Sequence, residues 1–254
     1  PFMKQLIAKT TSELTGIGFD DFKNGSNYIF ISNHRDIVLD AAFLNILLFE
    51  KQINTSEIAI GDNLLIYPWI TKLARLNKSF IVKRGVSVRE MLDTSKHLSE
   101  YIYDTVKRRN QSIWIAQREG RAKDSDDKTQ TSLLKMLTLY NSSKPVEALK
   151  SLNIVPLSIT YEFDPCDYLK AKEYQLKRDN PEYKKSQADD IENMRTGITG
   201  YKGKIFFRLG KQINDELSEI SSDVNRAKVL ELAAEIIDAE IYKNYVFFPI
   251  NYLA

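Results

Sequence analysis

The sequence predicts an α/β fold, a single domain whose mostly parallel central sheet is covered by helices. Three observations lead there. Short runs rich in β-branched and aromatic residues alternate with longer stretches of helical apolar spacing from one end of the chain to the other. Turn signals between them are brief, and neither a Gly/Ser linker nor an internal repeat divides the chain. The 254 residues are 43% hydrophobic, enough to fill one large core.

In chain order, YIFIS (28–32) is an unbroken apolar run, as expected for a strand buried on both faces, and 37–50 then takes up helical spacing. A second strand, EIAI (57–60), ends at Gly61-Asp62 and leads to a helix over 63–76. The run SFIV (79–82) stops at Arg84-Gly85 and is followed by a long amphipathic helix over 87–109. SIWIA (112–116) reaches Glu119-Gly120, and the next helical pattern covers 130–150. A strand at 154–160 precedes a polar helical stretch over 166–196. After the glycines at 197, 200 and 203 come a strand at 204–209 and a last helix over 223–243.

Composition excludes several classes of function. With 28% charged residues and no uncharged apolar run near the ~18–20 residues that span a bilayer, the chain is not polytopic. A net charge of +2, from 36 basic and 34 acidic residues, provides no global field for nucleic acid, so any anion site must be local. One cysteine and two histidines rule out an internal disulfide framework and argue against any metal site of the zinc type; a reducing cytoplasm fits. The chain begins at Pro1, from which the expectation is that an upstream stretch is missing or processed.

In sheets of this kind the chemistry gathers where strands run into helices at their C-terminal ends. His34 lies there, directly after the first strand and followed by two carboxylates, Asp36 and Asp40. A histidine held by a carboxylate is suited to removing a proton from a hydroxyl, because the carboxylate fixes the tautomer and stabilises the imidazolium. Asp36 has a competing role as the cap of the helix that follows. His97, on an amphipathic helix without partners, reads as structural. Cys166, between Asp164 and Asp167 near a proline, reads as inert, since adjacent acids oppose thiolate formation. No G-x-S-x-G elbow, Walker sequence or dinucleotide fingerprint occurs. Lys83, Arg84, Arg118, Arg121 and Lys123 all follow strands, which suggests an anionic substrate beside His34, a cluster sized for one phosphate. Glu119 before Gly120 suits a tight turn in which the acid orients an arginine or a substrate hydroxyl.

Four segments, in this order, resemble the glycerophosphate acyltransferase superfamily, which includes the bacterial 1-acylglycerol-3-phosphate acyltransferases. They are NHRDIVLD (33–40), SFIVKR (79–84), REGRAKD (118–124) and IVPLSI (154–159), and the strand ending in RLGKQI (208–213) is similar to the family's closing strand. The resemblance spans about 27–213, flanked by an N-terminal amphipathic segment and a C-terminal helix. It implies an acyltransferase in phospholipid synthesis without a covalent acyl-enzyme. His34, oriented by Asp40 or Asp36, is the general base on the acceptor hydroxyl, which attacks the thioester of acyl-CoA or acyl carrier protein. Arg84 holds the phosphate of lysophosphatidate or glycerol-3-phosphate with Lys83, Glu119, Gly120, Arg121 and Lys123, and Pro156 shapes the pocket. No cofactor is implied beyond the acyl donor.

Two departures from the family pattern bear on these roles. Five residues separate His34 from Asp40 where the family has four, and Arg121 follows Gly120 without the usual intervening residue. Two other readings of the acceptor and site follow: acylation of another lipid hydroxyl, such as that of an amino-acid lipid, or non-catalytic binding of lipid phosphate with the His–Asp pair broken. An esterase is a weaker third. Lipid substrates call for an interface. Phe2, Leu6 and Ile7, then Leu64, Leu65, Ile66, Tyr67, Trp69 and Ile70 with Lys72 and Arg75, then 245–253, are candidates for peripheral attachment at the cytoplasmic face of the membrane, with the 62–76 region first.

Overall fold

The computed structural model describes residues 2–22, 25–65, 67–83, 85, 87–123 and 126–252. Arg84, Ile66 and Leu253, and the side chain of Trp69, lie outside the described residues. Among the described residues seven strands form one sheet: β1 (Glu13–Ile17), β2 (Ile29–Ser32), β3 (Glu57–Gly61), β4 (Ser79–Val82), β5 (Ile113–Ala116), β6 (Ile154–Tyr161) and β7 (Lys204–Leu209). Their order is β1-β7-β6-β2-β5-β3-β4. Among the described residues only the β6–β7 pairing is antiparallel, so the sheet is mostly parallel, as the alternating pattern predicts.

Helices cover both faces: α1 (Phe2–Thr10), α2 (Leu39–Glu50), α3 (Pro68–Leu76), α4 (Val88–Lys107), α5 (Thr131–Leu137), α6 (Pro145–Ser151), α7 (Asp167–Asp179), α8 (Gln187–Thr199), α9 (Asn214–Ser218) and α10 (Arg226–Lys243). Strand side chains alternate between two cores, which is why β2 is apolar throughout. Ile29 and Ile31 pack with Ile113, Ile154 and the buried faces of α4, α5 and α10. Phe30 packs on the other face with Trp114, Val155, Phe43, Leu44 and Phe207.

The structure divides two helices that periodicity alone runs together. The 130–150 stretch is α5 and α6, because Pro145 starts a new helix where its missing N–H costs nothing. The 166–196 stretch is α7 and α8, separated around Pro181, with Ser186 and Asp189 making a reciprocal capping box at the second start. Strand β1 lacks a sequence signal, being a short edge element with a glycine inside it. The apolar residues Leu6 and Ile7 of α1 pack against the second core rather than facing out, although Phe2 is exposed.

Pro156 sits inside β6, level with Ile31 of β2. It is tolerated there because its carbonyl faces β7 and accepts from Gly210 N (2.8 Å), so the missing N–H faces the same side. The registered β6–β7 pairs begin only at Leu157.

Candidate active site

The loop from β2 to α2 holds His34 in place by closing around one carboxylate. Asn33 ends the strand with its side chain acting as one more ladder unit, donating Nδ2 to Ile159 O and accepting from Ile159 N, both at 2.8 Å. The chain then folds over Asp40, on the first turn of α2. One oxygen of Asp40, Oδ2, accepts from His34 Nδ1 at 2.8 Å, Arg35 N at 2.6 Å and Asp36 N at 3.0 Å. The extra residue between His34 and Asp40 is therefore absorbed by a turn whose own amides bind the acid. Asp40 Oδ1 accepts from the hydroxyl of Tyr161 at 3.0 Å.

Asp40, not Asp36, is the acid that touches His34. Asp36 Oδ1 accepts from Val38 N (2.9 Å) and Leu39 N (2.8 Å), capping the turn that enters α2, the competing role foreseen for it. Burial, with the Asp40 carboxylate beside it, raises the Asp36 pKa. Non-catalytic binding with a broken His–Asp pair loses its premise, since the pair is intact.

With Nδ1 donating to Asp40, the lone pair of His34 is on Nε2. The ring lies edge-on to Trp114, centroids 5.6 Å apart, and its side chain keeps 14% of its accessible surface. Trp114 is itself fixed by donating Nε1 to Ser32 Oγ at 2.9 Å. A carboxylate-held base whose side chain keeps some solvent access, at the C-terminal edge of a parallel sheet, is equipped to take a proton from a hydroxyl.

The expected five-cation cluster is revised. Lys123 pairs with Glu173 (3.2 Å), and burial lowers its pKa. Arg121 is 6% exposed and donates Nη2 to Asn193 Oδ1 (2.7 Å), while its Nη1 has no partner among the described residues. Arg118 donates to Asp126 O at 2.9 Å. Lys83 is exposed, and its charge acts on Glu90 at the start of α4. Arg84 lies outside the described residues. The post-strand position of these cations was readable, but the partners of Lys123 and Arg121, Glu173 on α7 and Asn193 on α8, were not, because they lie ~50–70 positions away in sequence. Glu119 is exposed, its amide donating to Gln130 Oε1 at 2.8 Å, and Gly120 has φ +70°, the left-handed conformation that favours glycine.

Tyr161 and Asn33 escaped the sequence reading. Burial first, then the Asp40 charge, raises the Tyr161 pKa well above its ordinary value, so its hydroxyl stays protonated and donates to Asp40. His97 is exposed on α4, away from the histidine loop, and Cys166 is buried with its thiol pKa raised chiefly by burial. Among the described residues no group of three or more His, Cys, Asp or Glu side chains is arranged to hold a metal ion.

A histidine held by a buried carboxylate at the C-terminal edge of such a sheet is an arrangement in which a side-chain base can take a proton from a hydroxyl. A family model described as Acyltransferase matches residues 14–160, more than half of the chain, and the chain belongs to the acyltransferase family. Among solved structures it is similar to the 1-acyl-sn-glycerophosphate (LPA) acyltransferase PlsC from Thermotoga maritima. The identity is 14% and the TM-score 0.45, over 93% of this chain and 75% of that one. No curated protein matches its sequence.

Proposed function

We propose that the protein transfers a fatty acyl group from acyl-CoA or acyl carrier protein to the hydroxyl of a phosphorylated glycerol lipid precursor, lysophosphatidate before glycerol-3-phosphate. The observation that carries this reading is the 2.8 Å contact between His34 Nδ1 and Asp40 within the first of four ordered blocks. In the proposed reaction His34 Nε2 accepts the proton of the acceptor hydroxyl as its oxygen attacks the thioester carbonyl. The tetrahedral intermediate collapses to the ester, and the imidazolium returns the proton to the departing thiolate. Asp40 holds the tautomer and offsets the transient positive charge. No cofactor takes part in these steps.

The acceptor phosphate is assigned to Arg84, supported by its block, with Lys83, Glu119 and Gly120 assigned to the same role. Arg121 is assigned with them by its block and is buried, its Nη1 without a hydrogen-bond partner among the described residues, whereas Lys123, committed to Glu173, is left out. The protein is assigned to the cytoplasmic face of a membrane as a peripheral enzyme. Among the described residues no helix is long and apolar enough to cross a membrane.

The test is a product assay with acyl-CoA against glycerol-3-phosphate, lysophosphatidate and a hydroxyacyl amino-acid lipid, run beside His34→Ala. Phosphatidate from lysophosphatidate, lost by ~10²-fold or more in the variant, is expected. Turnover of the amino-acid lipid alone would move the acceptor assignment, and near-normal turnover by His34→Ala would remove the base.

A further inference from the structure

Arg35, the residue after the candidate base, is held at every polar group it owns for which a partner is defined. Its amide donates to Asp40 Oδ2 at 2.6 Å, the same oxygen that holds His34. Its carbonyl accepts from Lys170 Nζ of α7 at 2.9 Å, and Lys170 is itself paired with Asp164. Its guanidinium meets Asp127 with Nη2 2.6 Å from Oδ2, and lies 5.9 Å from the centroid of the Tyr245 ring.

Asp127 is fully buried and joins three separate stretches of chain. It follows the Glu-Gly block, it binds Arg35 in the histidine loop, and its Oδ2 accepts from the hydroxyl of Tyr245 at 3.0 Å. Its carbonyl accepts from Tyr242 at 2.8 Å. Burial and the Asp127 charge push the Tyr245 pKa up, so that hydroxyl remains a donor. Asp127 is enclosed while the Arg35 side chain keeps 20% of its surface, so the pair differs from a solvated surface ion pair on the acid's side: removing the arginine strands a buried carboxylate. None of these contacts involves His34 Nε2. They act on the peptide unit that carries the His34 ring.

We infer that Asp127 is a positioning residue for the base. Gripping Arg35, and locked from behind by Tyr245 of the C-terminal segment, it fixes the His34 ring against Asp40. The segment after α10 is then part of the catalytic apparatus rather than a trailing end. This rests on His34 being the base, and the geometry demanded is tight, because small displacements of a reacting group cost large factors in rate.

The test uses the full chain carrying Asp127→Asn, Tyr245→Phe, Arg35→Ala or Arg35→Lys, with acyl transfer measured alongside nitrogen NMR of labelled histidine. The chain has only two histidines, so His97→Gln assigns the His34 signals. For folded Asp127→Asn, kcat falls about tenfold or more while the acyl-donor KM stays within about twofold. The His34 pattern of a protonated Nδ1 and a bare Nε2 weakens toward a mixture of tautomers. Tyr245→Phe shifts the same signals in the same direction by less, and Arg35→Lys recovers part of the rate that Arg35→Ala loses.

A wild-type kcat in Asp127→Asn, or a reduced kcat with unchanged His34 signals, overturns the inference. Should Asp127→Asn fail to fold, unchanged His34 signals in folded Tyr245→Phe overturn it equally. If His34→Ala retains activity while the signals still shift in Asp127→Asn, the assignment of the base fails and the positioning contact stands.

Discussion

The two aspartates after His34 show how one side chain's surroundings decide its task. Both are buried, yet Asp40 receives four donors and Asp36 only two backbone amides. Burial and the neighbouring Asp40 charge raise the folded-state pKa of Asp36. The folded protein therefore binds that proton more readily than the unfolded chain, and ionised Asp36 costs stability. The cost is absent at low pH, and it grows as pH rises through the ordinary aspartate range toward the raised folded value. Asp36→Asn keeps an acceptor for Val38 N and Leu39 N but carries no charge. It should match or exceed the wild type in urea denaturation near neutral pH and lose this part of the pH dependence, whereas Asp36→Ala should lose ~1 kcal/mol with the cap. A wild-type stability that rises with pH relative to Asp36→Asn would contradict this account. The sequence presented both acids and could not choose between them, because the choice depends on a turn that bends the chain back over Asp40.

At the scale of elements, α8 is blurred in the sequence and yet lies against the histidine loop. Its stretch is polar and lacks a clear apolar stripe, so it was merged with α7. Its packing is set by Asn193, which holds Arg121, and by Gly197, which lies against Asp36. A Cβ at Gly197 would stand 1.9 Å from Asp36 Oδ2 and 3.0 Å from its Cγ. Helix propensity alone favours alanine over glycine by about 1 kcal/mol. The clash opposes it, and because Asp36 is fixed by two amides it cannot swing aside cheaply. Gly197→Ala should thus destabilise the protein by ~1–3 kcal/mol, the usual cost of overpacking. Chemical denaturation checks the sign, since a stabilised variant would mean that α8 moves freely away from the loop. By contrast β2, β5 and β6 were legible because each is an apolar run filling both cores. β1 was not, since an edge strand needs little apolar signal and owes its place to pairing with β7, nearly two hundred residues on.

For the molecule as a whole, strand direction decides what the His34 edge can face. The parallel strands β2 to β6 end there. Because β7 and β1 run the other way, they begin there, which brings the end of α1 to the same edge: Lys202 N donates to Thr10 O and Ser12 N to Gly203 O, both at 2.8 Å. The C-terminal segment arrives there too, with Tyr245 on Asp127 and Val246 N 3.4 Å from Thr160 Oγ1. Beyond Tyr245, Phe248 packs inward at 6% exposure while other apolar groups turn outward: Phe247 is 63% exposed, Ile250 42% and Tyr252 76%. Leu76 is more exposed still, at 82%, but it closes α3 next to the start of β4, at the opposite edge of the sheet. A lipid acceptor must reach His34, so a membrane surface meeting the protein should engage the aromatic residues of the histidine edge before Leu76. The protein is accordingly expected to sediment with anionic liposomes at low salt. Phe247→Ala with Tyr252→Ala should weaken that binding several-fold, by roughly the transfer energy of two aromatic side chains that are only partly inserted, and Leu76→Ala should leave it unchanged. The opposite ranking would place the lipid at the other end of the sheet and separate the membrane contact from His34.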